Sequence, residues 1–235
     1  MTELSRRGCA VYWVVAALAW AGVAALAWAG VAATLIITAF DGYAPPTYHE
    51  EGLFAGAAHG WAGAPERLIN CLSYFTELSN IMVAIISTVL ARRGRVRAWG
   101  RATHLCALMM ITVTAIVYAT LISPYEVLSG YALVTNPLQH IVVPAAFVGA
   151  AALAGPRGGI TWATLGRALL ITVAWVAYTH VRGSFTHQYP YGFVNVWRIG
   201  YAQVAINIVA ILIGALVFMA LFAGADWLIR KASRR

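Results

Sequence analysis

Residues 9–40 read CAVYWVVAALAWAGVAALAWAGVAATLIITAF, 32 positions without one charged side chain. A helix rises 1.5 Å per residue, so about 20 apolar residues cross the hydrocarbon core of a bilayer. This stretch is long enough to cross and still tilt or protrude. Its basic start, Arg6 and Arg7, imitates a signal peptide. The apolar core far exceeds the roughly 7–15 residues of a signal h-region, so it reads as an uncleaved anchor. The octapeptide ALAWAGVA occurs twice in it, at 17–24 and 25–32. Eight steps of 100° overshoot two turns by about 80°, so the copies do not share a helix face. Their Ala and Gly residues permit close helix packing instead.

Five further apolar runs follow, at about 72–91, 102–122, 137–154, 161–181 and 199–223. The composition agrees: 61% hydrophobic, 10% charged, mean hydropathy +0.75. That charge is too sparse to cover a soluble globule, and the hydrophobicity is too high for disorder. The expectation is an all-α integral membrane protein, one domain over 1–235, built as a bundle of six transmembrane helices. With the N-terminus cytoplasmic, the inner ends collect Arg6, Arg7, Arg92, Arg93, Arg95, Arg97, Arg101, Arg157, Arg167, Arg230, Lys231, Arg234 and Arg235, which are 13 of the 16 basic residues. Only Arg67, Arg182 and Arg198 fall outside. This positive-inside pattern puts both termini in the cytoplasm. It also explains the net charge of +8 without any nucleic-acid partner. Cys9, Cys71 and Cys106 have no metal-ligand spacing and read as small apolar residues.

Polar residues inside hydrocarbon are costly and face the bundle interior or a wet cavity. The second run carries Ser73, Thr76, Glu77, Asn80 and Ser87 within an arc of about 100°. For the two serines, interhelical hydrogen bonding accounts for the pattern. Thr76, Glu77 and Asn80 together are more polarity than packing needs. The fourth run opens with Asn136 as N-cap and Pro137 at the first helical position, then Gln139 and His140. Pro144 has no N–H for the His140 carbonyl, so the backbone there is kinked or opened. Counted from the outer boundary, Thr76 and His140 both lie about 6 Å deep, in the same layer. His180 and Arg182 end the fifth run, and Arg182 could hold a carboxylate at the outer rim. Tyr189 and Tyr191 flank Pro190 in an outer aromatic loop. His49, His59 and His187 lack the spacing of a metal site, and no metal or cofactor is expected.

SYFTELSN at 73–80, NPLQHIVVP at 136–144 and YPYGF at 189–193 resemble bacterial relatives of the androgen-induced family, which includes the androgen-dependent TFPI-regulating protein. The resemblance covers all six runs in order. It implies a multi-pass membrane hydrolase of a bacterial plasma (inner) membrane. The animal members are threonine hydrolases of fatty acid esters of hydroxy fatty acids. By this resemblance Thr76 is the nucleophile and His140 its partner. Where the family has Pro and Asp in the aromatic loop, this chain has Gly192 and Asn195, so no acidic role carries to position 195.

The chemistry implied is acyl transfer on a lipid ester, with Thr76 attacking and His140 as general base. Glu77, Asn80, Asn136, Arg182, Tyr189 and Tyr191 are the supporting or substrate-binding candidates. A site one turn below the outer surface suits a lipid whose chains stay in the bilayer, with water reaching the carbonyl from outside. Two other readings compete. One is a non-catalytic lipid-binding or transport protein. The other is an electron carrier with haem held between His140 and His180.

Overall fold

Helix α1, Arg6–Ala39, is followed by a short 3-10 turn, Trp61–Gly63, and α2, Ala64–Ser73. Helices α3, Phe75–Arg93, and α4, Ala98–Val117, come next, and α4 runs on into a π turn, Tyr118–Ile122. The following rod is α5, Ala132–Pro137, a second π turn, Leu138–Val142, and α6, Val143–Ala154. Helices α7, Trp162–Thr186, and α8, Val196–Ala232, complete the chain. This computed structural model describes residues 6–44, 51–54 and 57–232, so His49, Arg234 and Arg235 lie outside the described residues. Among the described residues there is no strand, only an isolated bridge between Leu53 and Tyr189.

Among the described residues, five helical stretches are long and apolar enough to cross a membrane: Val11–Ala39, Phe75–Arg93, Ala98–Ile122, Ala132–Ala154 and Val196–Ala232. The fold is thus all-helical and fits an all-α membrane protein. Helix α7, 25 residues long, is not among the five. Arg167 near one end and His180, Arg182 and Ser184 near the other shorten its apolar stretch.

Consecutive long helices alternate in direction, because their ends meet in two groups. At one end Arg67 reaches the carbonyls of Thr38 and Ala39, Tyr118 stacks on His140, and the Tyr191 hydroxyl meets Phe75. At the other, Trp20 Nε1 donates to the Ala154 carbonyl and the Gly158 N–H donates to Asp226. Helix α1 packs along α3 and α6, α3 on α4, and α4 on α7 and α8. The shared core holds Leu90, Leu105, Met109, Met110, Phe147 and Met219, all fully buried. Helix α8 is the most peripheral, with few buried residues along its length.

The octapeptide repeat behaves as its period requires. Trp20 is 2% exposed, wedged edge-on against His104 and Phe147, whereas Trp28 is 42% exposed and donates to Thr88 Oγ1.

Three differences from the sequence reading lie near Thr76 and His140. The stretch between the first two runs is not all loop: α2 fills Ala64–Ser73, with Pro65 and Glu66 in its first turn, where a proline and an acid are suited. The second run begins at Phe75, after an extended Tyr74 (φ −68°, ψ 138°), so Ser73 ends α2 instead of starting the polar stripe. The fourth begins at Ala132, so Asn136 is no N-cap and Pro137 sits inside the helix. Pro137 is the sixth residue of α5, past the first turn whose donors are idle, so its missing N–H leaves the Leu133 carbonyl without its regular helical donor.

Candidate active site

The break at Tyr74 sets the first turn of α3 at the mouth of the bundle. Thr76 is its second residue, and Tyr74 supplies no side-chain cap. The first N–H groups of a helix have no intrahelical partner and carry the positive end of its dipole. The Tyr191 hydroxyl takes one of them, accepting from Phe75 N at 3.1 Å. Tyr191 lies outside the spans, and burial of its hydroxyl pushes its pKa up, opposed by hydrogen bonds from Thr76 and Phe75.

His140 stands in the second π turn. Pro144 lacks an N–H and its ring would meet the carbonyl four residues back, so the helix widens just before it. The local opening expected at this proline is the π turn. His140 Nδ1 lies 3.0 Å from the Asn136 carbonyl, which can only accept, so Nδ1 carries the proton. Nε2 is then the lone-pair nitrogen, and it lies 3.4 Å from Thr76 Oγ1. Tyr118 stacks on the imidazole at 4.2 Å and an interplanar angle of 25°, fixing the ring plane.

The two segments are laced together. Asn80 Nδ2 donates to the carbonyls of Thr76 (2.9 Å) and Gln139 (3.3 Å). Gln139 Nε2 donates to Glu77 Oε2 at 2.9 Å, while Glu77 Oε1 has no partner among the described residues. Glu77 and Asn80 are 2% and 0% exposed, so these bonds are buried and each counts.

A cavity of about 620 Å3 opens on this layer, with Thr76, Glu77, Gln139, His140 and Tyr191 on its wall. A second cavity, of about 110 Å3, shares Thr76, His140 and Tyr191 but is otherwise walled mainly by apolar groups such as Val113, Val117, Trp175 and Ile211. The Thr–His pair is therefore a partition, with a mixed polar chamber on one side and an apolar slot on the other.

Of the sequence-derived candidates, Thr76, His140, Glu77, Asn80, Asn136 and Tyr191 come together here. Asn136 contributes its carbonyl, its amide donating to Glu126 Oε2 at 3.0 Å. Arg182 and Tyr189 do not line either cavity. Arg182 donates to Asn70 Oδ1 and Ser73 Oγ and lies 4.4 Å over the Phe54 ring, so its charge staples α7 to α2. Tyr189 is buried against Gly183, where any Cβ would strike its ring, and its backbone pairs with Gly52 and Phe54. Asn195, fully buried, donates from Nδ2 to the Glu51 carbonyl at 2.8 Å, a bond an ionised acid could not make. His180 sits beside Tyr189, with ring centroids 5.8 Å apart, and shares no described cavity with His140.

Sequence reasoning notes Tyr118 and Gln139 as polar residues but assigns neither a role in the site. Tyr118 is one turn beyond Thr114, and Gln139 is the polar neighbour of His140; the pairing across helices is what gives them a role. Cys71 also lines the large cavity. Burial, then the nearby Glu77 carboxylate, pushes its thiol up to about 12. At pH 8 only about one thiol in ten thousand is then thiolate. Iodoacetamide labelling of Cys71, followed by peptide mass, is expected to be very slow at pH 8 in the folded protein and fast after denaturation.

No family model matches this chain, and no match was found among curated proteins or among solved structures.

Proposed function

We propose that this chain is a membrane-embedded threonine hydrolase of lipid esters, such as fatty acid esters of hydroxy fatty acids, and a bacterial member of the androgen-induced family. The observation that carries the reading is the Thr76 Oγ1–His140 Nε2 approach of 3.4 Å at the wall shared by a polar and an apolar cavity. The tautomer set by Asn136 supports His140 as base, since its lone pair faces the hydroxyl.

In the first half-reaction Thr76 Oγ bonds to the ester carbonyl carbon as its proton passes to His140 Nε2. The tetrahedral oxyanion sits at the N-terminus of α3, where unpaired N–H groups and the dipole favour negative charge. Tyr191, already accepting from Phe75 N, has its own O–H left to donate to that oxyanion. The intermediate collapses by breaking the ester C–O bond, and His140 returns its proton to the departing hydroxy-acid oxygen. Water then attacks the acyl-threonine with His140 again as base, releasing the fatty acid and restoring Thr76. The apolar slot beside Thr76 suits the start of the acyl chain, and the larger chamber suits the hydroxy-acid portion.

In this reading α7 is the sixth span, both termini are cytoplasmic, and the basic end of the bundle faces inward. The Thr–His end then opens to the outer leaflet of a bacterial plasma membrane.

Tyr191→Phe tests the oxyanion role. It is expected to lower kcat on a palmitic ester of hydroxystearic acid by roughly tenfold to a hundredfold with KM little changed. A raised KM at unchanged kcat would instead assign Tyr191 to ground-state binding.

A further inference from the structure

The end of the bundle away from Thr76 carries another cavity, of about 190 Å3, between α4, α6, the 155–160 connection and α8. Its inner wall is apolar, with Leu105, Leu108, Val148 and Phe222. Its rim is cationic: Arg101 from α4 and Arg157 from the connection both line it. One carboxylate is present, Asp226, and it is already engaged. Its oxygens accept from Gly158 N at 3.0 and 3.3 Å, and Oδ2 pairs with Arg230 Nε at 3.2 Å. Arg157 gives one N–H to the Ala152 carbonyl, which leaves most of its five-donor fork unspent. The Arg101 stem lies across Gly159, where a Cβ would come within 2.7 Å of its Cδ.

Beneath this rim is His104, 8% exposed and also on the cavity wall. Its Nε2 has no hydrogen-bond partner among the described residues. A buried polar atom without a partner is uncommon and costs free energy, so each asks what would satisfy it.

We infer that this cavity binds the phosphate of an anionic lipid headgroup. Arg101 and Arg157 grip the phosphate oxygens as forks, His104 lies below them, and the lipid chains run along Leu105, Leu108 and Phe222. Guanidinium matches phosphate bidentately. Basic pockets between membrane helices at the level of the headgroups take anionic lipids for the same reason. A soluble anion would have no use for the apolar wall. The inference does not depend on the hydrolase reading.

The test uses the full chain in detergent, titrated with dioctanoyl phosphatidylglycerol, dioctanoyl phosphatidylcholine or inorganic phosphate, with bound species counted by native mass spectrometry. Phosphatidylglycerol should fill one site, phosphatidylcholine should bind at least about tenfold more weakly, and millimolar phosphate should not compete. Arg101→Gln with Arg157→Gln should weaken phosphatidylglycerol by about thirtyfold. Arg101→Lys with Arg157→Lys keeps the charge but loses the fork, and should fall between. Equal binding of the two lipids, or unchanged affinity in the glutamine pair, overturns the proposal. Saturation by inorganic phosphate alone overturns the lipid as ligand. If the glutamine pair does not fold, the lysine pair and the lipid comparison on the wild type still decide the matter.

Discussion

His140→Ala and Thr76→Ala are each expected to cut hydrolysis of a fatty acid ester of a hydroxy fatty acid by about a thousandfold or more, while the protein still inserts and purifies as before. A hydroxyl is a weak nucleophile at its own pKa, so losing the base removes about 100- to 10,000-fold and losing the nucleophile removes the acyl-enzyme route altogether. In the proposed mechanism the pair acts as a unit, so the double variant should be no slower than the worse single one. Thr76→Ser keeps the hydroxyl and should retain part of the rate. Both Thr76 and His140 are only half-buried and sit outside the main core, so folding should tolerate the changes. If both alanine variants turn over at the wild-type rate, the mechanism is wrong.

Arg67→Ala is expected to cost about 2–4 kcal/mol of stability, read as a lowered thermal midpoint in detergent. The Arg67 side chain donates to the carbonyls of Thr38 (2.9 Å), Ala39 (3.0 Å), Gly60 (2.7 Å) and Ala58. Two of these are among the last residues of α1, whose final carbonyls have no intrahelical donor. One planar guanidinium thus caps a helix and holds the 58–60 loop over the mouth of the large cavity. Lys has one compact donor group in place of the fork, so Arg67→Lys should recover little of the loss. Asp41 completes the knot, 2.7 Å from His59 and 3.7 Å from Arg67. The hydrogen bond from His59 is the main cause holding the Asp41 carboxyl below its ordinary range, with Arg67 adding to it. The sign follows: a depressed carboxylate contributes above its unfolded pKa and loses that contribution as pH falls through the lowered value.

The membrane class and most helices were legible because an uncharged run of 20 or more residues matches the thickness of a bilayer and exceeds what a soluble core helix needs. The Thr76–His140 layer was legible too, because polar groups in an apolar run stand out and their depth can be counted from the span ends. Helix α2 was not, since its alternation of Glu66, Arg67, Asn70 and Cys71 reads as loop until Arg67 is seen filling the end of α1. Nor was the start of the fourth run, because Asn136-Pro137 has the chemistry of a helix start. Packing of Tyr131–Thr135 against the end of α1, through the Tyr43 hydroxyl bonded to Thr34 and Thr135, carries the helix back past it. Arg182 reads as available because a sequence shows a charge and not its partners. In the structure that charge is spent on Asn70, Ser73 and the Phe54 ring.

The two π turns, at Tyr118–Ile122 and Leu138–Val142, carry the stacked Tyr118 and His140 rings, whereas Thr76 starts a regular helix fixed to the core. A π turn replaces the regular i→i+4 bonds with wider i→i+5 bonds, such as Ser123 N to the Tyr118 carbonyl at 2.8 Å, so one side of the Thr–His gap is built on widened helix and the other on regular helix. At 3.4 Å that gap is roughly 0.5 Å longer than a well-formed hydrogen bond. An occupant of the large cavity would meet the two widened turns through the imidazole and its stacked tyrosine. The widened helix therefore carries His140, and the regular helix carries Thr76.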